Sequence, residues 1–329
     1  MGKEDDMFAA NYSILSAQAL AKQISLDYVL PVAWMKFYSS GFNDTYQLAC
    51  EDGTRYYYRV YRRMWRTLDD ILYEVDALNH LASKQFPAIR VIRRIDGSQL
   101  SEYQAPEGVR YGVLFSEARG TLINYDSDME NKAYHYGIAE ARMHTAMVDF
   151  HSPHNRRPLD LPFLTESILE NAQPFLVHRP DDWEFLAGFS QQVRDALLAL
   201  PVGALPQGFC HGDLQAYHCN LDEKGQMTFF DFDCCGPGYL AYDLAVFRWC
   251  GHFDEEDERR WAPFLRGYQS VRPLIDLELA SIPLFTACRY LWHISVHTLN
   301  ATDWGIGWLD DGYFDGRMKT LRQVQAELF

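Results

Sequence analysis

The stretch that most constrains what this chain can fold into is Phe209-Cys210-His211-Gly212-Asp213-Leu214-Gln215-Ala216-Tyr217-His218-Cys219-Asn220, followed by Phe229-Phe230-Asp231-Phe232-Asp233. Residues 221–228 between them read as strand, turn and strand, with Gly225 free to take a positive φ at the turn. Such a hairpin sets one carboxylate at each end of a short β ribbon, Asp213 before it and Asp231 after it. Aspartate is common in turns, so either residue alone reads as an ordinary loop residue. The ordered set of His-Gly-Asp-Leu, hairpin, apolar pair and Asp-Phe-Asp does not.

Phosphoryl transfer needs one carboxylate where an acceptor hydroxyl loses its proton and another that holds a divalent cation against the triphosphate. Asp213 suits the first role and Asp231 the second. The set resembles the kinase-like phosphotransferases that include aminoglycoside phosphotransferases, choline kinases, a type of bacterial homoserine kinase and a bacterial stress-response kinase. Their pattern, H-G-D-L-x-x-x-N and then I-D-F/W-D/E, is matched by His211-Gly212-Asp213-Leu214 and by Phe230-Asp231-Phe232-Asp233. The resemblance implies an α+β, bilobal protein-kinase-like fold, with an antiparallel-sheet N-lobe over residues 1–118 and a mainly helical C-lobe over 119–329. It also implies ATP or another nucleoside triphosphate, with Mg²⁺ or alternatively Mn²⁺.

One position departs from the pattern. The metal-binding asparagine of kinases follows the aspartate by five residues, where this chain has His218, while Asn220 lies at seven. Either the loop bulges so that Asn220 reaches the metal, or His218 stands in that place. Imidazole suits zinc, manganese or copper better than magnesium, which prefers oxygen.

Ahead of this stretch, after a helical opening around residues 16–26, residues 34–48 read as strand, polar turn and strand. A turn at Glu51-Asp52-Gly53 leads into a third strand over 55–62, rich in aromatic residues. In kinase-like proteins such a meander roofs the nucleotide, and its first turn lies over the phosphates. Backbone amides and the hydroxyls of Ser39, Ser40 and Thr45 would then cradle phosphate, the plainer alternative being a hairpin loop. Arg59 stands where the family places a phosphate-touching lysine, and Arg62, Arg63 and Arg66 read as a solvated basic face. Residues 67–81 form an amphipathic helix with Thr67 and Asp70 in capping-box spacing. The resemblance pairs its Glu74 with Arg59. Two further strands are expected over 89–95 and 110–118. The second would run into an inter-lobe linker where adenine bonds near Ser116, Glu117 and Ala118.

After the linker a helix is expected over 128–148, with His144 as a packed structural histidine, and His151 and His154 in a polar loop. Another helix over 183–200 leads to the central stretch. Beyond Asp231, a tight turn enters a helix carrying Asp243, which resembles the family aspartate that braces the catalytic loop. Residues 254–258 form an acidic run that reads as a solvated helix start. Further on, glycine turns present Trp304, Trp308, Tyr313 and three carboxylates, Asp303, Asp310 and Asp311. With Asp233, and with Arg289, Tyr290, Trp292, His293 and His297 on the preceding helix, they are candidates to line a pocket for a cationic amine. Ordinary packing against the lobe is the equal alternative.

Composition narrows the partners. A chain of 329 residues at 48% hydrophobic content buries a large core. A formal charge of −15 argues against nucleic-acid phosphates and favours cationic or neutral ligands. The seven cysteines are odd in number and lack zinc spacing, which points to small buried thiols in a reducing cytoplasm. No apolar run approaches the ~18 residues of a membrane span. The acidic opening Met1-Gly2-Lys3-Glu4-Asp5-Asp6 has neither an apolar leader nor the Ser or Thr at position six that myristoylation expects. The expected reaction is transfer of a γ-phosphoryl group from ATP to a hydroxyl of an amino alcohol, sugar or aminoglycoside-like molecule. The alternatives are a protein Ser/Thr kinase of the stress-response type and a pseudokinase that binds nucleotide with little catalysis, the latter raised by Arg59 and His218.

Overall fold

The structure is a computed structural model and describes residues 9–124 and 127–329. The acidic opening read above for leader and acylation signals lies outside the described residues. In chain order the elements are α1 (Ala17–Tyr28), β1 (Val32–Ser40), β2 (Asn43–Cys50), β3 (Arg55–Tyr61), α2 (Leu68–Ser83), β4 (Ser101–Ala105), β5 (Gly108–Ser116), β6 (Thr121–Leu122), α3 (Met129–Ala146), α4 (Ser167–Ala172), α5 (Pro180–Ala199), β7 (Gln207–Cys210), β8 (Cys219–Leu221), β9 (Met227–Phe229), β10 (Gly236–Tyr239), α6 (Leu240–Gly251), α7 (Asp257–Gln269), α8 (Asp276–Leu299), α9 (Ala301–Trp304) and α10 (Asp311–Leu328). They fall into two compact units. The first comprises the described residues up to Ala82, with Ala88–Ala118 and Ser152–Asn155; the second comprises Ser83–Pro87, Arg119–His151 and Arg156–Phe329.

The first unit is a five-stranded antiparallel sheet in the order β1-β2-β3-β5-β4. The two-residue period of a strand divides its side chains between two faces. On one face Tyr46, Leu48, Tyr58, Val60 and Leu114 pack with Leu20, Ile24 and Tyr28 of α1. From β3, Arg59 and Tyr61 take the opposite parity and reach Glu74 of α2. Helix α2 begins in a reciprocal cap: the Asp70 N–H donates to Thr67 Oγ1 (3.2 Å), and the Thr67 N–H donates back to Asp70 Oδ2 (2.9 Å).

Two expectations are corrected in this unit. Residues 89–95 are not a strand: only Val91 bridges β5, opposite Phe115, and the Ile92 N–H donates to Leu114 (2.8 Å). The ladder stops there because Arg94 turns to Asp27 (3.2 Å) and the Ile95 N–H donates to the Asp27 carbonyl (2.8 Å). The edge strand beside β5 is β4, which lies in what read as a polar insert, with Ser101 buried, Glu102 exposed and Tyr103 half-buried. Arg62 is also not solvated. It is 3% exposed, donates to Ser40 Oγ (2.6 Å) and lies over the Tyr12 ring (4.3 Å). Arg63 is exposed, and Arg66 covers the Trp65 ring (4.0 Å).

The second unit is mainly helical, with a β6-β8-β9 sheet and a β7-β10 ribbon. Its core includes Phe247 stacked on Phe264 (3.9 Å between centroids), with Tyr136 against both rings. The 24-residue α8 supplies a long buried face that includes Phe285, Cys288, Arg289 and Leu291. Among the described residues no helix is long and apolar enough to cross a membrane.

Candidate active site

Pairing of Cys210 with Gly236 closes residues 211–235 into an excursion rooted in the β7-β10 ribbon. The root is tied by Asp243, fully buried in the first turn of α6. Its Oδ2 accepts the His211 N–H (2.6 Å) and its Oδ1 the Gly212 N–H (2.8 Å). His144 backs this carboxylate: Nε2 lies 3.2 Å from Oδ2, and Nδ1 lies 2.7 Å from the Tyr268 hydroxyl. Gly212 has φ +76°, and a Cβ there would meet the Cys234 carbonyl oxygen at 2.3 Å, so no other residue fits. His211, buried, donates from Nε2 to the Phe230 carbonyl (3.2 Å) and accepts the Asp213 N–H at Nδ1 (3.3 Å). Burial lowers its pKa, in keeping with that neutral tautomer.

This frame delivers Asp213, 7% exposed, to the centre of the unit. Its carboxylate is paired with the guanidinium of Arg289 and accepts from Gln215 Nε2 (2.9 Å). Burial pushes its pKa up, but the guanidinium of Arg289 more than offsets this and holds the group below its ordinary value. Arg289 is itself held: it lies over Trp249 (4.9 Å) and Trp292 (4.1 Å) and donates to the Gly212 carbonyl (3.2 Å). Asp213 is therefore an ionised carboxylate in a largely dry setting.

His218 ends the 3₁₀ turn that follows. Its Nδ1 lies 2.7 Å from the Asp213 carbonyl, which can only accept, so Nδ1 carries the hydrogen. Nε2 then faces Asp231 Oδ2 at 3.5 Å. Asp231 itself takes a left-handed conformation (φ 63°) just after β9, and the β8-β9 hairpin closes through Gly225 at φ +76°. The structure thus brings Asp213, His218 and Asp231 together. Asn220 lies on β8 between Leu122 and Thr228, and its amide donates to the Gly120 carbonyl (3.3 Å). Asp233 is 3% exposed, and its backbone carbonyl accepts from Arg156.

Among the described residues no group of three or more His, Cys, Asp or Glu side chains is disposed to hold a metal ion. The donor set at His218 and Asp231 fits an ion that takes its remaining ligands from phosphate and water, as divalent ions at triphosphate sites do.

In the first unit, Arg59 Nη1 pairs with Glu74 Oε1 (2.7 Å), and Tyr61 donates to Glu74 Oε2 (2.7 Å). Ser39 stands opposite Thr45 at the β1-β2 turn, and Ser40 opposite Asp44. The Ser40 hydroxyl is engaged, accepting from Arg62 and donating to Asp44 (3.2 Å). Ser116 Oγ accepts the Arg90 N–H (2.9 Å), Glu117 lies 3.8 Å from Arg55, and Ala118 is the last residue of its segment in this unit.

The aromatic residues expected to line an acceptor pocket pack on one another. Trp304 and Trp308 stand 6.0 and 5.1 Å from the His297 ring, whose Nδ1 is 3.0 Å from the Tyr313 hydroxyl. Burial takes His297 down to about 4. Asp310 caps α10 by accepting the Tyr313 N–H (2.9 Å), and Asp311 pairs with Arg179 (3.0 Å) and His178 (2.9 Å).

A cavity of ≈ 420 Å³ lies elsewhere in the unit, walled by Ala216 and Tyr217 of the loop after β7 and by Phe247, Arg248, Asp257 and Trp261. Cys250, also on its wall, has Sγ 3.6 Å from Gln215 Oε1, and Gln215 bonds Asp213. The acidic run contributes here: Asp257 pairs with Arg248 (3.0 Å), and burial raises it to about 6, while Asp254, Glu255, Glu256 and Glu258 are exposed. Sequence reading passed over Gln215, Arg248 and Asp257 in these roles. Only Gln215 carried a signal, its position two residues after Asp213.

Comparison with known proteins bears on the family and the fold. The model of the phosphotransferase enzyme family matches residues 34–275. An uncharacterised protein of Deinococcus radiodurans is 34% identical over 321 residues, covering 96% of this chain and 92% of its own length. A homoserine kinase of Acidiphilium cryptum is 28% identical over 227 residues, covering 67% of this chain and 66% of that protein. The solved structure of an amicoumacin kinase with AMP-PNP, Ca²⁺ and Ami matches with a TM-score of 0.74 at 18% identity, covering 95% of this chain and 93% of that one. With a matched segment that runs through the sheet, the loop after β7 and Asp231, the chain belongs to the phosphotransferase enzyme family and has its kinase-like α+β fold.

Proposed function

We propose that this protein transfers the γ-phosphoryl group of ATP, or of a related nucleoside triphosphate, to a hydroxyl of a small molecule in a reducing cytoplasm. The observation that carries the reading is the buried, ionised carboxylate of Asp213, separated from a second carboxylate, Asp231, by the single imidazole of His218. The loose transition state of phosphoryl transfer asks mainly for positioning and charge stabilisation. A carboxylate held below its usual pKa is a weak base, so Asp213 orients the acceptor hydroxyl and receives its proton only as the new bond forms. Arg289 fixes the direction of that carboxylate, and Asp243 and His211 fix the loop beneath it.

Arg59, aimed by Glu74, is the proposed phosphate-gripping cation, and its fork allows two parallel bonds where a lysine offers one charge. His218 and Asp231 would hold the divalent ion. Bound there, that ion would neutralise triphosphate charge. The cavity beside Gln215 is the proposed acceptor pocket, in preference to the Trp304 and Trp308 cluster, because it shares a wall with the catalytic loop. Its wall carries charges of both signs, Arg248 and Asp257 among them, which suits a compact acceptor bearing amino or carboxyl groups. The relatives named as homoserine kinase and amicoumacin kinase support a small-molecule acceptor.

The test is a screen of hydroxyl-bearing small molecules with ATP and either Mg²⁺ or Mn²⁺, read by mass spectrometry of the product. Asp213→Asn should lower turnover by about 10²–10⁴-fold while AMP-PNP binding changes by no more than roughly threefold. Full turnover in that variant removes the role given to Asp213. Nucleotide binding without consumption across the whole panel would leave a nucleotide-binding module in place of an enzyme.

A further inference from the structure

We infer that His218 is a direct ligand of the nucleotide-borne divalent ion and that its imidazole tunes the protein toward Mn²⁺ over Mg²⁺; this rests on the phosphotransferase reading above. Three observations support it. The first is orientation. Nδ1 donates to the Asp213 carbonyl at 2.7 Å, which makes Nε2 the ring nitrogen that faces Asp231 and is placed to offer a lone pair to an ion. A backbone carbonyl that accepts from one ring nitrogen and so aims the other is the usual support of a metal-binding histidine.

The second is spacing. Two ligands each ~2.1 Å from one ion stand ~3.0–3.5 Å apart when the angle between them is octahedral or tetrahedral. Nε2 of His218 and Oδ2 of Asp231 are 3.5 Å apart. The third is the alternative donor. Asn220, which would offer an amide oxygen, lies in the β8 ladder with its amide on the Gly120 carbonyl.

Replacing an oxygen donor by an imidazole nitrogen matters for selectivity. Mg²⁺ binds oxygen and accepts nitrogen poorly, whereas Mn²⁺ stands above it in affinity for nitrogen-containing sites and still accepts carboxylate and phosphate oxygens. With phosphate and water completing the set, His218 and Asp231 would hold Mn²⁺ better than Mg²⁺.

The experiment uses the full chain with AMP-PNP and Mn²⁺ and looks for nitrogen hyperfine coupling to Mn²⁺ by pulsed electron paramagnetic resonance. It also measures AMP-PNP affinity by calorimetry in Mg²⁺ and in Mn²⁺, for the wild type and His218→Asn. Wild type should show imidazole nitrogen coupling and bind AMP-PNP roughly tenfold more tightly with Mn²⁺; His218→Asn should lose the coupling and most of that preference. Absence of coupling in the wild-type spectrum overturns the proposal without reliance on any variant. So does an unchanged metal preference in His218→Asn. If coupling is present but no acceptor in the panel is phosphorylated, His218 remains a ligand and only the enzymatic reading fails. If AMP-PNP does not bind in either metal, both fail.

Discussion

At the scale of single residues, the candidate site is built on an ion pair that burial alone would forbid. Asp213 and Arg289 are both buried, and each is tolerable only because the other is present. The pair sets a pH dependence. The Asp213 carboxyl is lower in the folded chain than its ordinary value, so its contribution to stability is fully present above the ordinary carboxylate pKa and is lost as pH falls through the folded one. Arg289→Met strands the carboxylate. The acid limb of kcat/KM should move upward by about 1–3 pH units, and stability near neutral pH should fall by about 3–5 kcal/mol. A pH–rate profile together with urea denaturation checks both, and an unmoved acid limb would mean that Asp213 does not set it. Sequence reading placed Arg289 near a substrate and did not see this role, because the two partners lie 76 residues apart.

At the scale of elements, catalytic geometry depends on how α6 meets the loop after β7. Asp243 is the joint, and its two oxygens take up the backbone N–H groups of His211 and Gly212. Asp243→Ala leaves those buried donors without their acceptor and should cost about 2–5 kcal/mol, read as a lower urea midpoint at constant m-value. Turnover should fall with it. Strands β7 and β10 were not legible beforehand: each has four residues, and β10 is Gly236-Pro237-Gly238-Tyr239, a string that reads as a turn until Cys210 is seen across from Gly236. The reverse error came at residues 89–95. Their apolar alternation is a fair strand signal, but the pull of Asp27 on Arg94 and on the Ile95 N–H ends the pairing after Ile92. By contrast α2 was fully legible, because its cap and its apolar stripe are local.

At the scale of the whole molecule, the seven cysteines are all free and six are buried, with Cys250 half-buried. Burial pushes these thiols away from reactivity: Cys210 lies well above its ordinary value, and Cys219 and Cys250 are both raised to about 12. A reductant should therefore leave Tm unchanged. A chromogenic disulfide reagent should label at most Cys250 in the native protein and all seven thiols in urea. Rapid native labelling of buried thiols other than Cys50, which lies in the first unit, would contradict the packing of the second unit. Free energy of that unit comes chiefly from apolar burial, with helices such as α8 presenting Phe285, Cys288 and Leu291 to the core.

What the sequence determined by itself was whatever is local in the chain. This includes the order of the motif, the hairpin with Gly225 at its turn and the α2 helix with its Thr67 cap, which follow from spacing and periodicity that a few bonded residues carry without outside help; the kinase-like architecture was implied by the resemblance to a known family. Tertiary structure alone decided that His218 stands between the two aspartates while Asn220 stays in a ladder, and that Arg289 grips Asp213. It also decided that Arg62 is buried and that a cavity is bordered by Ala216 and Tyr217 of the loop after β7. Each of these depends on which distant side chain packing brings within a few ångströms, a quantity that no local pattern encodes.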